Sequence, residues 1–184
     1  MCGFEYGRLF GLICLSLLFL LPQKTTLLMA NRLQFVPYTP AHAKAWFDLN
    51  EAWISGNFTM EDSDYAALRD PQGYFLDRGG HILIAEYDGE PIGTVGLLKI
   101  EHGAYDYELS KMCISLKVQG KGFGLLLGQA VLNLAKDLGA TTVYLESNDK
   151  LAPALRLYQK LGFKDVAGTE SPYARCNVKM AVTL

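Results

Sequence analysis

The chain has 184 residues, of which 50% are hydrophobic and 20% charged, and its 17 Lys and Arg against 19 Asp and Glu give a net charge of −2. A chain of this size and apolar content can bury the core of one ordinary domain. Without a basic excess, general nucleic-acid binding is a poor expectation. The four cysteines show no metal-ligand or disulfide spacing, so a metal site is not expected and a reducing, cytoplasmic compartment fits best.

Residues 1–28 form an apolar leader that differs in composition from the rest of the chain. Residues 9–21 carry no charge, and this run is too short for a bilayer span but suits the apolar region of a signal peptide. No small-residue cleavage site follows it. Three interpretations stay open: an extension upstream of a start at Met29, a signal or membrane anchor, or a piece of the core. Residues 29–184 are predicted to form one domain.

Apolar periodicity and turn residues predict the elements of this domain. Pro37 favours an edge position for the first strand, and Asp88-Gly89 indicates a hairpin. Thr59 with Asp62 resembles a capping box. In chain order the elements are strand 33–38, helix 39–56, helix 59–68, a short helical piece around 74–76, strands 81–87, 92–100 and 105–114, helix 123–138, strand 141–146, helix 151–161, and strands 163–166 and 177–182.

The most informative stretch is Gln-Gly-Lys-Gly-Phe-Gly at residues 119–124, which follows a strand and opens a helix. Free backbone N–H groups at a helix N-terminus, with glycines that allow close approach, suit a pyrophosphate. A tight turn with close helix packing is the structural alternative. A Walker A phosphate loop is excluded, because Ser115 and Gly122 occupy positions where it needs Gly and Ser or Thr.

A dinucleotide fingerprint fits the spacing better. Gly122, Gly124 and Gly128 lie in series, and Glu146 ends the next strand at about the distance of a ribose-binding carboxylate. Such a unit normally begins its domain, however, whereas here three antiparallel strands come first. An NAD(P)-binding oxidoreductase therefore remains only as a rival interpretation.

Two motifs in series resemble those of the GNAT superfamily of N-acetyltransferases. They are Met112-Cys113-Ile114 followed by Gln119-x-x-Gly122-x-Gly124, and Leu155-x-x-Tyr158-x-x-Leu161-Gly162-Phe163. The resemblance covers roughly residues 33–182. It implies an α/β (α+β) fold with a mixed sheet, in which antiparallel N-terminal strands lead into a parallel β-α-β crossover with helices on both faces. It also implies acetyl-CoA as the donor and a primary amine as the acceptor.

The resemblance places the cofactor on two backbone segments, near the point where the parallel strands of this family splay apart. The residues that it assigns to the cofactor are Met112, Cys113, Ile114, Gln119, Gly120, Lys121, Gly122, Phe123, Gly124, Leu125 and Asn148. The edge of the first three would bind the pantetheine arm as an added strand, and the loop would hold the pyrophosphate. Asn148 is included because Leu151 occupies the position where many relatives carry Asn.

Acetyl transfer to an amine needs a base, and Glu108 is the predicted one. It matches a strand position that carries a catalytic Glu in some family members, and period-two alternation puts it on one face with Met112 and Ile114. A carboxylate on such a partly apolar face should have a raised pKa. Glu146 on the neighbouring strand is the competing candidate, and an ordinary solvated or ion-paired role is the alternative for Glu108.

The reaction also needs a stabilised oxyanion and an acid for the leaving thiolate. The backbone N–H of Cys113 or Ile114 is the predicted oxyanion donor. Tyr158 matches the family's acid position, although its spacing from Leu151 and Leu155 also suits a core residue. A nucleophilic role for Cys113 is not expected, because no His lies near it in the sequence.

The acceptor site is harder to predict. The residues that would border it, each equally suited to surface or core, are Tyr65, Tyr74, His81, Tyr105, Tyr107, Tyr173 and Arg175. They do not distinguish a small-molecule amine from a peptide or protein amine. Lys111 and Lys121 are expected to be solvated or to steer phosphate. A non-catalytic acetyl-CoA-binding module is the second rival interpretation, and the oligomeric state is open, with a homodimer as one candidate.

Overall fold

The computed structural model describes residues 32–167, 171 and 173–184, and the apolar leader lies outside them. The strands of this part are β1 Leu33–Pro37, β2 His81–Tyr87, β3 Glu90–Lys99, β4 Tyr107–Ile114, β5 Thr142–Ser147, β6 Lys164–Asp165 and β7 Val178–Thr183. The α-helices are α1 Ala43–Ser55, α2 Asp62–Arg69, α3 Pro71–Tyr74, α4 Phe123–Asp137 and α5 Ala152–Lys160. No helix in these ranges is long and apolar enough to cross a membrane.

The seven described strands form one sheet in the order β1-β2-β3-β4-β5-β7-β6. All neighbours are antiparallel except β4 and β5, which run parallel and are joined by α4. A parallel pair needs such a crossover connection. The predicted mixed sheet with its β-α-β unit is confirmed, and so is the edge position of β1.

The sheet separates two hydrophobic cores. Along β2, Leu83 and Ala85 pack into the core beneath α4, whereas Ile82 and Ile84 pack against α1 and α2. Successive side chains of a strand point to opposite faces, so this alternation gives each side of the sheet its own apolar surface. Trp46 of α1 is fully buried in the second core. The prediction of helices on both faces is confirmed.

The start of α2 differs from the prediction. Glu61 is the N-cap residue, and the side chain of Asp64 accepts a hydrogen bond from the Glu61 backbone N–H at 3.1 Å. The predicted capping pair of Thr59 and Asp62 is therefore wrong by two residues. Glu61 takes the N-cap position in place of Thr59, and Asp64 takes the partner position in place of Asp62. This shift matters because Asp64 also contacts residues of the candidate site.

The short helical piece also begins earlier than predicted. Pro71 occupies the first turn of α3, and the Asp70 side chain caps this turn by accepting from the Gly73 backbone N–H at 2.9 Å. Proline suits this position because the first turn leaves its N–H groups unpaired. Pro71 therefore opens a new helix as well as ending the one before it.

A β-bulge interrupts β4 at Lys111. This residue has a φ of 52°, and the register against β3 shifts between Thr94 and Gly96. A positive φ is uncommon for a residue with a side chain, and a bulge is one of the places that impose it. The extra residue reverses the alternation of side chains along the rest of the strand.

The reversal changes which residues share a face with Glu108. Met112 and Ile114 pack against the core beneath α4, on the side of Tyr107 and Leu109. Glu108 lies on the opposite face, which beyond the bulge carries Lys111 and Cys113. The prediction that Glu108 shares a face with Met112 and Ile114 is wrong, because simple alternation does not include a bulge.

Candidate active site

The parallel strands β4 and β5 separate part way along their length. Their register covers Tyr107–Leu109 of β4 against residues 143–145 of β5, and the strands continue to Ile114 and Ser147 without further pairing between them. The predicted splaying is confirmed. Unpaired N–H and C=O groups along the β4 edge need partners, and an extended ligand can supply them by adding as a strand.

The hydrogen bonds to β3 show which amides face this open edge. The Ser115 N–H donates to the Ile92 carbonyl at 2.7 Å, so it points towards β3. Because N–H groups alternate in direction along an antiparallel strand, the Cys113 N–H also points to β3 and the Ile114 N–H points to the open edge. Of the two predicted oxyanion donors, Ile114 has the suitable orientation.

A groove runs from the separated strands to the start of α4. Nine of the eleven residues predicted to bind the cofactor line it, all except Lys121 and Asn148. Arg156 and Lys160 of α5 also line the groove, although the sequence motifs did not predict them as site residues. They lie four residues apart and so share one helix face, a spacing that could have indicated a second basic contact for phosphate.

The glycines at the end of this groove expose backbone. Gly120 and Gly122 have φ values of 79° and 80°, which an L side chain rarely adopts, and a Cβ at either position would meet nothing within 4 Å. Gly122 caps α4 without a side-chain hydrogen bond. The Leu125 N–H donates to the Gly122 carbonyl at 3.1 Å, whereas the N–H groups of Phe123 and Gly124 have no backbone partner among the described residues and stay open for an anion.

Lys121 and Asn148 lie elsewhere. Lys121 is exposed, and its Nζ lies 5.6 Å from the ring centre of Tyr87. The Asn148 side chain donates to the Arg175 carbonyl and accepts from the Lys150 N–H at 2.9 Å. Asn148 borders a different pocket, so its geometry argues against the predicted contact with the cofactor.

That second pocket lies on the other side of β4. It is formed by α1, the face of β4 that carries Glu108, the end of β5 and the segment 173–176. Of the residues predicted to border an acceptor, Tyr173 and Arg175 line it, and Tyr65, Tyr74, His81, Tyr105 and Tyr107 do not. Trp53, Met112 and Tyr158 border both this pocket and the groove, so the two spaces meet there.

Glu108 lies in this pocket with its carboxylate available. Burial raises the pKa of Glu108 to about 7, the charge of Glu146 adds to the effect, and the Lys111 ammonium opposes it. No described residue forms a hydrogen bond with the Glu108 carboxylate. A carboxylate with a pKa near neutrality and no hydrogen-bond partner among these residues is suited to accept a proton.

Glu146, the competing candidate, is already engaged. Its carboxylate accepts hydrogen bonds from the Tyr144 hydroxyl at 2.9 Å and from the Ser171 hydroxyl, and it lies 3.7 Å from the Lys179 ammonium. These contacts occupy the oxygens of Glu146, whereas the Glu108 carboxylate has no hydrogen-bond partner among the described residues. The arrangement favours Glu108 over Glu146.

Tyr158 lies at the junction of the two pockets. Its ring packs edge to face against Phe163, with 6.0 Å between ring centres, and burial raises the pKa of Tyr158 to about 12. The phenol therefore stays protonated at neutral pH. Tyr158 is half-buried, and its hydroxyl can donate a hydrogen bond into the space where the pockets meet.

Cys113 is unsuited to act as a nucleophile. Its thiol is buried and lies 3.3 Å from the Thr94 hydroxyl, and burial raises the pKa of Cys113 to about 11. The reactive form of cysteine is the thiolate, which is scarce at neutral pH under these conditions.

A buried charge cluster, which we call the Asp64 cluster, closes one side of the second pocket. It consists of Glu61, Asp64, Lys111, Tyr173 and Arg175. Asp64 accepts from Lys111 Nζ at 2.8 Å and from the two terminal nitrogens of Arg175 at 2.8 and 2.7 Å. Lys111 also donates to the Tyr173 hydroxyl at 3.0 Å, and Arg175 to Glu61 at 2.8 Å. The expectation that Lys111 is solvated or steers phosphate is wrong, because the bulge turns it into this cluster.

Comparisons with known proteins agree with this architecture. The model of the acetyltransferase (GNAT) family matches residues 42–163. N-acetyltransferase 8B of Rattus norvegicus is 30% identical over 122 residues, which cover 65% of this chain and 54% of that relative. The chain thus matches about half the length of this curated relative.

Solved structures show the same fold. An acetyltransferase of the GNAT family from Staphylococcus aureus superposes with a TM-score of 0.72 at 18% identity, over 82% of this chain and 98% of that one. A Bacillus subtilis acetyltransferase in complex with CoA gives a TM-score of 0.60 at 24% identity, over 83% and 98% of the two chains. At these identities the likeness concerns the fold alone.

Proposed function

This chain belongs to the GNAT family of acetyltransferases, and on that premise we propose that it is an N-acetyltransferase that transfers the acetyl group of acetyl-CoA to a primary amine. The observation that supports this best is the meeting of two pockets at Met112 and Tyr158. One pocket has the open strand edge and glycine loop that suit CoA. The other has an available carboxylate that suits an amine. Donor and acceptor can then bind together and react directly.

The groove beneath the separated strands holds acetyl-CoA in this proposal. The N–H groups of Phe123 and Gly124 bind the pyrophosphate, and Arg156 and Lys160 add positive charge. The open edge of β4 at Met112 and Ile114 pairs with the amides of the pantetheine arm. This pairing directs the thioester towards the junction with the second pocket, which we call the acceptor pocket because it binds the amine in this proposal.

Glu108 prepares the amine. The attacking nitrogen must be neutral, and a carboxylate with a pKa of about 7 accepts a proton from it directly or through water. The nitrogen then forms a bond to the acetyl carbon, and the Ile114 N–H stabilises the oxygen that becomes negative.

The C–S bond then breaks as the C–O double bond re-forms. Tyr158 donates its proton to the departing sulfur of CoA. The phenolate then takes up the proton that the acetylated nitrogen releases. The raised pKa keeps this phenol protonated until the thiolate develops. The products are the N-acetylated amine and free CoA, and no acyl-enzyme on Cys113 is needed.

We place this activity in the cytoplasm. The described cysteines, Cys113 and Cys176, are free thiols. Free thiols are the usual state in a reducing compartment.

A thermal unfolding comparison of the full chain with acetyl-CoA, CoA, NADH or no ligand tests the donor assignment. A ligand at about 100 times its Kd should add roughly 2.7 kcal/mol, which raises Tm by several degrees in a domain of this size. Release of free CoA in the presence of an amine then tests transfer. A Tm shift with NADH alone contradicts the proposal, and a shift with acetyl-CoA but no transfer to a broad amine panel indicates a binding module.

A further inference from the structure

We propose that the acceptor is a primary amine carried on an uncharged, apolar or aromatic body, with no carboxylate beside the amine and no second cationic centre. The inference rests on the proposed function and specifies the substrate class of the same site. Two features of the acceptor pocket support the inference: most of its charged residues are already paired, and much of its lining is apolar.

The charged residues that line the acceptor pocket are paired with oppositely charged residues behind its wall, with one exception. Lys111 and Arg175 both bind Asp64. Glu146 lies beside Lys179 and accepts from two hydroxyls. Among the described residues, Glu108 alone has a charge without a partner in the pocket. The pocket therefore offers one place for one cation.

The two amide side chains of the lining, Asn50 and Asn148, are also occupied. Asn50 donates to the Trp46 carbonyl at 2.9 Å and to the Thr94 hydroxyl at 3.0 Å. The Asn148 amide uses both its oxygen and its nitrogen on the backbone. A polar substrate group placed against either amide would lose its bonds to water and gain no bond in return.

The remaining wall is apolar. Trp53, Ile54, Phe58 and Leu151 line the pocket together with Met112. A hydrophobic or aromatic body fills such a space favourably, since burial of apolar surface contributes about 25 cal/mol per Å².

The same geometry disfavours two common kinds of amine. In a free α-amino acid, the carboxylate is two bonds from the amine nitrogen, so an amine at Glu108 brings two negative charges together. In a polyamine, the second ammonium would lie against the apolar wall without a free carboxylate among the described residues.

A panel of four acceptors tests the inference on the full chain with saturating acetyl-CoA, with free CoA measured by a thiol reagent. The acceptors are 2-phenylethylamine, phenylalanine, phenylalaninamide and spermidine. We expect kcat/KM for 2-phenylethylamine to exceed those for phenylalanine and spermidine by at least about 10-fold, equivalent to about 1.4 kcal/mol. Phenylalaninamide, which has the aromatic body without the carboxylate, distinguishes a peptide-like amine from a small apolar amine.

A preference for phenylalanine overturns the inference, since Lys111 or Arg175 would then be binding the carboxylate. A preference for spermidine also overturns it. Acetyl-CoA binding without acetylation of either apolar amine overturns the substrate class and leaves donor binding intact. A failure to bind acetyl-CoA, measured by calorimetry, contradicts the proposed function instead, so the two failures are distinguishable.

Two variants add a structural readout. Phe58→Ala removes part of the apolar wall and should raise KM for 2-phenylethylamine about 10-fold, with KM for acetyl-CoA unchanged. Phe47→Ala is the matched control, because Phe47 packs in the core beneath α1 and lines neither pocket. Leu151→Gln tests the same wall if Phe58→Ala fails to fold. Equal KM values in the wild type and both wall variants contradict the inference.

Discussion

Lys111 Nζ lies 2.8 Å from Asp64 Oδ1, and this ion pair joins β4 to α2 inside the protein, where the two side chains are 6% and 0% exposed. The same carboxylate binds Arg175, which follows Tyr173 by two residues. One buried aspartate thus holds the β4 bulge and one side of the acceptor pocket in place. A carboxylate shared between two cations in the interior makes each of them depend on it.

Asp64→Asn should lower the free energy of unfolding by about 3–5 kcal/mol, because Lys111 and Arg175 are left buried without full compensation. Chemical denaturation at pH 7 measures this loss. Asp62→Asn is the matched control, since Asp62 is an exposed residue in the same turn of α2. A loss below about 1 kcal/mol for Asp64→Asn would show that the cluster does not hold the segment.

The same carboxylate predicts a loss of stability in acid. Burial works to raise the pKa of Asp64, but hydrogen bonds from Arg175 and Lys111 outweigh it and leave the pKa below its ordinary 3.8. A pKa lowered by folding contributes stability above the ordinary value, and this contribution is lost as pH falls through the folded value. The stabilities of wild type and Asp64→Asn should therefore converge below about pH 4.

Glu108→Gln should reduce kcat/KM by about 100-fold and change its pH dependence. In the wild type, kcat/KM should rise as Glu108 loses its proton near pH 7, on top of the titration of the amine. The variant should keep the amine titration and lose the step near pH 7. Glu146→Gln is the matched control and should retain that step. A wild-type profile in Glu108→Gln would assign the base to Glu146 or to water.

Glu108→Gln should be more stable than the wild type at alkaline pH, although it loses activity. Folding raises the pKa of this carboxyl from 4.5 to about 7, so the folded state binds more protons than the unfolded chain between these values. Wild-type stability therefore falls as pH rises from about 4.5 to 7 because of this group. The variant should be more stable by about 1–3 kcal/mol at pH 8 and equal to wild type at pH 4. Urea unfolding at both pH values checks the sign.

Tyr158→Phe should lower kcat by about 100-fold while the Kd for acetyl-CoA stays within about 2-fold of wild type. The substitution removes the hydroxyl and keeps the ring that packs against Phe163. Steady-state kinetics and calorimetry measure the two quantities. Tyr65 lines neither pocket, so Tyr65→Phe should leave both kcat and the Kd for acetyl-CoA unchanged. Weakened binding with unchanged kcat would mean that Tyr158 contacts the cofactor without donating a proton.

Gly122→Ala should raise the Kd for acetyl-CoA about 10-fold, because the left-handed φ of 80° costs a residue with a Cβ roughly 1–2 kcal/mol and displaces the first-turn N–H groups. Gly89→Ala is the matched control, since Gly89 has a φ of 79° in the β2–β3 hairpin, away from the groove. Both variants should lose similar stability. An equal Kd in the two variants would contradict phosphate binding at this loop.

Local patterns in the sequence are enough to predict most elements and the cofactor groove. The Asp88-Gly89 hairpin, the helix after Gly122 and the crossover from β4 to β5 each depend on residues close together in the chain. The backbone of a glycine loop depends on its own φ angles, which glycine permits wherever it occurs. The family resemblance gave Tyr158 and Glu108 as candidate catalytic residues, and both line the pocket that we propose for the acceptor.

The features that the local pattern did not predict depend on residues far apart in sequence. Asp64 and Lys111 are 47 positions apart, and Asp64 and Arg175 are 111 apart. No periodicity connects such residues, and their pairing exists only after the chain has packed. The bulge at Lys111, the engaged state of Glu146 and the pairing of the acceptor-pocket charges belong to this class. They emerge from folding because the burial of a charge requires a partner, and only the packed chain brings that partner within reach.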